Sequence, residues 1–350
     1  MKIMKNFNIK NLVKPSVRNL AAYQAFDIPC RIQLDANESP YAFKGDLSGI
    51  LKNLKTNRYP DPEARELRRM LARRLAVSPA NILFGNGSDE LIYYMITTFG
   101  GPVLFPVPTF SMYGIISQAL GEKSISILLD REFDIDLKKT LAAMKKERPK
   151  LIFLSSPNNP TGNCFSSDKI LKIIEASSGI VVVDEAYQPF SSEKGFLPLL
   201  KDYRNLVIMR TLSKIGLASL RLGFLIADPD VINEANKVRL PFNLNSFSQA
   251  VAVRALNEKG KLASSIRKIV SERELLFREL KKIKGLRPYP SEANFILFSA
   301  GNPEKVYSAL IKKGILVRDL TGSVRGCLRV TVGTPEENKA FLKALIEICG

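Results

Sequence analysis

The chain has 350 residues, 45% hydrophobic and 25% charged, the balance of an ordinary globular protein with room for two domains. It contains no histidine, which removes the Ser-His-Asp and Cys-His hydrolases, the HExxH metalloproteases and the facial-triad iron enzymes, since each needs an imidazole. A formal net charge of +18 raises nucleic-acid binding as an alternative; however, the basic residues are spread along segments such as Leu67-Arg68-Arg69-Met70-Leu71-Ala72-Arg73-Arg74 and match no nucleic-acid module, so no such partner is expected.

From Asn81 onward, short apolar runs alternate with helix-length amphipathic stretches. That pattern predicts an α/β fold with a mostly parallel sheet covered on both faces. Strands are expected at Ile82 to Phe84, Val103 to Phe105, Ser124 to Leu129, Leu151 to Leu154, Ile180 to Val183, Leu206 to Met209 and Leu222 to Ala227. After Asp228 the character changes to long charged helices, including a proline- and glycine-free stretch from Leu262 to Ile283. A smaller α+β unit follows, with strands near Asn294 to Leu297 and Leu328 to Thr331 and helices near Glu304 to Lys313 and Glu336 to Ile348. The division expected is an N-terminal segment 1–39, a large domain 40–245 and a small domain 246–350.

Polar residues gather where three of these strands end. Arg210-Thr211-Leu212-Ser213-Lys214 follows one apolar run, Asp184-Glu185-Ala186-Tyr187 follows Val181-Val182-Val183, and Ser155-Ser156-Pro157-Asn158-Asn159-Pro160-Thr161-Gly162 follows Leu151 to Leu154. In open α/β sheets, ligands sit outside the carboxyl ends of the strands, so these segments point to one shared site. Their chemistry fits pyridoxal 5'-phosphate, which needs a carboxylate for its ring nitrogen, donors for its ring oxygen, a Schiff-base lysine and a phosphate cradle. Asp184, then Tyr187 with Asn159, then Lys214, and finally Thr211, Ser213 and Arg221 fill those roles. Gly85-Asn86-Gly87-Ser88-Asp89-Glu90 joins a strand to a helix, and the N–H groups around Ser88 and Asp89 are candidates for the phosphate. Alternatives remain at this point: a simple helix cap for Ser88 or Asp89, and a purely turn-forming role for Asn159.

The segments SPNNPTG, DEAY and TLSK followed by LRLGF resemble those of the fold-type I, aspartate-aminotransferase-like enzymes. With LDANESP at 34–40, NRYPD at 57–61, GNGSDE at 85–90 and CLRVTVGT at 327–334, the chain from about Ser16 onward is similar to the histidinol-phosphate aminotransferase family. The resemblance implies a large domain holding the cofactor, with the N-terminal segment packed on the small domain. It puts a ring-stacking aromatic at Phe110, while Tyr113 reads as core. It also implies that Tyr59 reaches the cofactor of a neighbouring subunit in a homodimer, and that Tyr23, Asn37, Arg318 and Arg329 bind substrate. The stretch from Lys214 to Arg221 is one residue shorter than the familiar form, which leaves that loop's geometry open.

The activity so implied is transfer of the amino group of L-histidinol phosphate to 2-oxoglutarate. An aromatic aminotransferase or a threonine-phosphate decarboxylase on the same scaffold are the rivals. Cys30, Cys164, Cys327 and Cys349 show no paired spacing, so reduced thiols and no metal site are expected. No apolar run reaches the ~20 residues of a membrane span, and the first residues lack a signal peptide's apolar stretch. A cytoplasmic protein with no membrane partner is the expectation.

Overall fold

A computed structural model of the chain describes residues 8–22 and 28–349. The strands are β1 (Ile32–Leu34), β2 (Ile82–Asn86), β3 (Val103–Val107), β4 (Ser124–Leu128), β5 (Leu151–Ser155), β6 (Ile180–Asp184), β7 (Leu206–Thr211), β8 (Leu222–Ala227), β9 (Leu286–Pro288), β10 (Phe295–Ala300), β11 (Ile315–Asp319) and β12 (Cys327–Thr331). They form a large sheet in the order β2-β8-β7-β6-β5-β3-β4 and a small one in the order β1-β11-β12-β10-β9. Within the large sheet β8 is antiparallel to both neighbours, and the other pairs are parallel. All seven expected large-sheet strands are present.

Why these runs form central strands follows from their burial on both faces. Ile152, Leu154, Val181, Val183, Leu206 and Ile208 pack into one apolar cluster, and Leu151, Phe153, Val182, Val207 and Met209 into the cluster on the opposite face. The two-residue side-chain period of a strand makes that separation. β4, at the edge, alternates exposed and half-buried residues instead. The apolar runs end in Ser155, Asp184 and Thr211, all buried at the C-terminal ends of adjacent strands, with Ser155 in register with Asp184.

The segment before residue 40 divides its packing. β1 adds to the small sheet by pairing in parallel with β11. Further upstream, Lys14 Nζ donates to the carbonyl of Leu120 at 2.8 Å, at the end of the helix Met112–Leu120 that follows β3. That part therefore touches the large-sheet side, while β1 packs on the small sheet as expected for the segment. Where the two sheets meet, Arg273, 4% exposed on the helix Lys259–Leu280, donates to the carbonyls of Phe190 and Ala293 at 3.1 Å each.

Candidate active site

The ends of β5, β6 and β7 open into a cavity of about 800 Å³. Its lining includes Ser88, Asp89, Phe110, Asn159, Asp184, Tyr187, Thr211, Ser213, Lys214 and Arg221 from the large-sheet side, with Arg318 and Arg329 from the small sheet. Asn37 also lines it. Tyr59 does not, and Tyr23 lies outside the described residues.

Asp184 is 4% exposed at the end of β6. Burial pushes its carboxyl up from 3.8 to about 6, although the Tyr113 hydroxyl and the Ala186 N–H, which donate to its two oxygens at 2.6 and 3.0 Å, act the other way. The Tyr113 hydroxyl is itself raised well above its usual value, first by burial and then by the Asp184 charge. Tyr113 is therefore more than core. Its ring stacks on Phe153 at 4.8 Å and meets Phe110 edge-on at 5.7 Å, so one side chain both supports Phe110 and pins the carboxylate. Only its place three residues after Phe110, on the first turn of a helix, could have marked it.

The turn after β5 divides its labour between two asparagines. Asn158 ties the turn together by donating to Thr161 Oγ1 and the Pro108 carbonyl and accepting from Thr109 Oγ1. Asn159 faces the cavity, and its Oδ1 accepts from Arg329 Nη1 at 2.5 Å. The guanidinium of Arg329 also donates from Nη2 to the carbonyl of Asp35 at 2.7 Å and lies over the Phe295 ring, 5.1 Å from its centroid. With its oxygen so occupied, Asn159 offers its side-chain N–H groups to the cavity. Arg318 sits beside Arg329 in register across β11 and β12.

Lys214 follows β7 on a single 3₁₀ turn, Ser213–Ile215. Its amine is 3.4 Å from the carbonyl of Ala36 and 5.9 Å from the centroid of the Tyr187 ring. The short loop to Arg221 closes with left-handed backbone at Gly216 (φ +101°) and at Arg221 itself (φ +49°). That second residue is strained for a side chain other than glycine or asparagine, and the strain turns Arg221 back toward the helix Ser88–Phe99, where Nη2 lies 3.3 Å from Asp89 Oδ2. Gly87, at φ +86°, makes the approach possible: a Cβ there would fall 2.5 Å from Arg221 Nη2. Thr211 Oγ1 donates to Ser213 Oγ at 3.0 Å on the same side.

A carboxylate whose burial favours a proton-bearing partner, donors aimed at one cavity, a lysine, and an arginine against a helix N-terminus together define a site for an amine-reactive, phosphate-bearing aromatic cofactor. The chain belongs to the class I and II aminotransferase family, whose model matches residues 26–345. It is similar to histidinol-phosphate aminotransferase 2 of Nitrosococcus oceani, 44% identical over 346 residues covering 95% of this chain and 96% of that one. The histidinol-phosphate aminotransferase of Aquifex aeolicus is 43% identical over 348 residues, 96% of this chain and 98% of its own length. Among solved structures, the Sinorhizobium meliloti histidinol-phosphate aminotransferase in complex with pyridoxal-5'-phosphate superposes with a TM-score of 0.88 at 25% identity, covering 99% of each chain. The L-threonine-O-3-phosphate decarboxylase of Porphyromonas gingivalis shares the fold, with a TM-score of 0.78 at 23% identity over 90% of this chain and 98% of that one. Among the described residues no group of side chains could hold a metal ion.

Proposed function

We propose that this chain is a pyridoxal 5'-phosphate-dependent aminotransferase that converts L-histidinol phosphate and 2-oxoglutarate to imidazole acetol phosphate and glutamate, a step of histidine biosynthesis. The observation that carries the reading is one cavity in which the buried Asp184 carboxylate and the Lys214 amine stand on adjacent strand ends, with Arg221 on the large-sheet side and Arg318 and Arg329 on the other. The residues fit the cofactor: a carboxyl held up to about 6 by burial is satisfied by a protonated pyridine nitrogen, and the space left at Gly87 lets Arg221 reach a phosphate at the helix start. Full-length similarity to the Nitrosococcus oceani enzyme supports the same substrate.

Bound there, the cofactor supplies an aldehyde that condenses with amines and a ring that takes up the electron pair left when a proton departs from the substrate. Asp184, held by Tyr113 and the Ala186 N–H, keeps the ring nitrogen protonated. Asn159 and Tyr187 would donate to the ring oxygen, and Phe110 would stack on the ring face. Ser88, Asp89 main-chain N–H, Thr211, Ser213 and Arg221 hold the phosphate. Lys214 would be the residue that holds the cofactor covalently, and its free amine would carry protons to and from the amine-bearing carbon of the substrate. Arg318 and Arg329 receive the substrate's phosphate or the carboxylates of glutamate and 2-oxoglutarate. Asn37, also proposed to touch substrate, lines the cavity, and one of its two side-chain N–H groups donates to the Tyr187 hydroxyl.

The proposal includes a cytoplasmic homodimer. Tyr59 is 81% exposed and stacks on the partly exposed Phe242 at 4.5 Å, an aromatic pair that a second copy would cover while Tyr59 reaches the neighbour's phosphate. Among the described residues no helix is long and apolar enough to cross a membrane. Borohydride reduction of the cofactor-loaded enzyme followed by peptide mapping tests the reading directly. The pyridoxyl label is expected on Lys214; a label on any other lysine overturns the assignment.

A further inference from the structure

The Tyr187 hydroxyl ends a hydrogen-bonded series that begins in the small sheet. Thr331, on β12 and 3% exposed, accepts the main-chain N–H of Asn37 through Oγ1 at 2.9 Å. Its own proton has the Asn37 side-chain oxygen within 3.4 Å. The amide is thereby turned with its oxygen to Thr331 and its nitrogen to Tyr187, where Nδ2 donates to the phenol oxygen at 2.9 Å. Asn37 has little freedom to do otherwise. It is 2% exposed, sits in left-handed backbone at φ +55°, and its carbonyl accepts from Asn294 Nδ2 at 3.0 Å. The ring of Tyr187 is held edge-on by Phe295 of the small sheet, with centroids 5.1 Å apart.

A hydroxyl that receives a hydrogen bond from an amide N–H has no acceptor in that direction, so its own proton must go elsewhere. For Tyr187 the open direction is the cavity that it lines. We infer that Thr331 and Asn37 are positioning residues for Tyr187: the series runs in one donor direction and delivers the phenol proton into the cavity, toward the cofactor's ring oxygen. The inference rests on the cofactor reading above and goes beyond it, because Thr331 does not line the cavity and acts only through its neighbours. Aligned donors in such a series strengthen one another. It also makes the seating of the small sheet against the large one a determinant of how Tyr187 donates.

The readout is the pH at which the visible absorbance of the cofactor-loaded protein changes, compared among variants whose cofactor-free melting temperatures are measured in parallel. A donor at the ring oxygen spreads the negative charge there; without it the proton shared with the neighbouring nitrogen is held more tightly and leaves at higher pH. A charge-assisted hydrogen bond is worth roughly 1.5–3 kcal/mol, so Tyr187→Phe should raise the midpoint by about one to two pH units, and Thr331→Val by about half as much. Thr331→Ser, which keeps the hydroxyl, should restore the native midpoint, and Thr331→Val should add nothing in the Tyr187→Phe background. Asn37→Asp tolerates the same backbone and provides a second approach if Thr331→Val folds poorly. Its carboxylate would accept the phenol proton and draw it away from the cavity, again raising the midpoint. An unchanged midpoint in Thr331→Val beside a raised one in Tyr187→Phe overturns the inference, as does an equal rise in both backgrounds. No change in Tyr187→Phe overturns the placement of Tyr187 at the cofactor, and the inference with it.

Discussion

Replacing Asp184 with asparagine should stabilise the cofactor-free protein while weakening the loaded one. In the free protein, burial raises the carboxyl from 3.8 to about 6, so between those values the native state keeps a proton that the unfolded chain has released. Stability conferred by the protonated form is therefore present below about pH 4, declines as pH rises toward 6, and is absent above. A rise of about two pH units, at 1.36 kcal/mol each, amounts to about 3 kcal/mol of destabilisation at pH 7.5. Asparagine has no charge to desolvate, can still accept from the Ala186 N–H, and can donate to the Tyr113 hydroxyl. Denaturant unfolding of the cofactor-free proteins at pH 4 and pH 7.5 measures the effect. Asp184→Asn should exceed the parent by about 1–3 kcal/mol at pH 7.5 and by little at pH 4, and the order should reverse once pyridoxal phosphate is added. An Asp184→Asn protein less stable than the parent at pH 7.5 without cofactor, or a gain independent of pH, would refute the reasoning.

Gly87→Ala should lower pyridoxal phosphate affinity about tenfold or more by equilibrium titration, because the new methyl enters the space of Arg221 Nη2 and a single charge-assisted contact exceeds 1.4 kcal/mol. Its backbone, at φ +86° and ψ 170°, is one that essentially only glycine adopts, so alanine adds strain of about 1–3 kcal/mol to the fold itself, visible as a lower melting temperature. Arg329→Ala removes one guanidinium that braces Asn159 and lines the cavity, so on the proposed substrate role kcat/KM should fall by about one to two orders of magnitude in both half-reactions; a loss confined to one of them would contradict the shared role. Mixing inactive Tyr59→Ala and Lys214→Ala subunits should restore part of the activity, since one site of the mixed dimer carries both lesions and the other neither. Light scattering that shows an active monomer would refute the shared site.

The large sheet was legible because its central strands are unbroken apolar runs whose polar residues fall at one end, as in Val181-Val182-Val183-Asp184. Those same ends bring Asp184, Lys214 and Asn159 to one cavity, so local chemistry carried most of the candidate site. The strands β1, β9 and β11 had no such signal. Two span only three residues, and β11 ends in Arg318 and Asp319, so pairing partners rather than local pattern define them. The Asn37–Thr331 contact joins residues 294 apart, and nothing in either segment announces the other. The division of labour between Asn158 and Asn159 depends on which side chain the turn directs inward, which their adjacent positions do not reveal. Tyr113 read as core because an aromatic at helical spacing usually is, and it is indeed fully buried; its polar role needs Asp184, 71 residues away.

A single-turnover substrate panel on the purified pyridoxal phosphate form, followed by loss of the cofactor's visible band, tests the central claim most directly. The account predicts that L-histidinol phosphate discharges the band with a kcat/KM at least one to two orders of magnitude above histidinol, which forgoes the charge-assisted contacts of a phosphate with Arg318 and Arg329, worth roughly 1.5–3 kcal/mol each, and well above phenylalanine, which offers them a singly charged carboxylate in place of a dianionic phosphate. Equal turnover of phenylalanine or tyrosine would contradict it in favour of an aromatic aminotransferase, and release of carbon dioxide from phosphothreonine in favour of the decarboxylase.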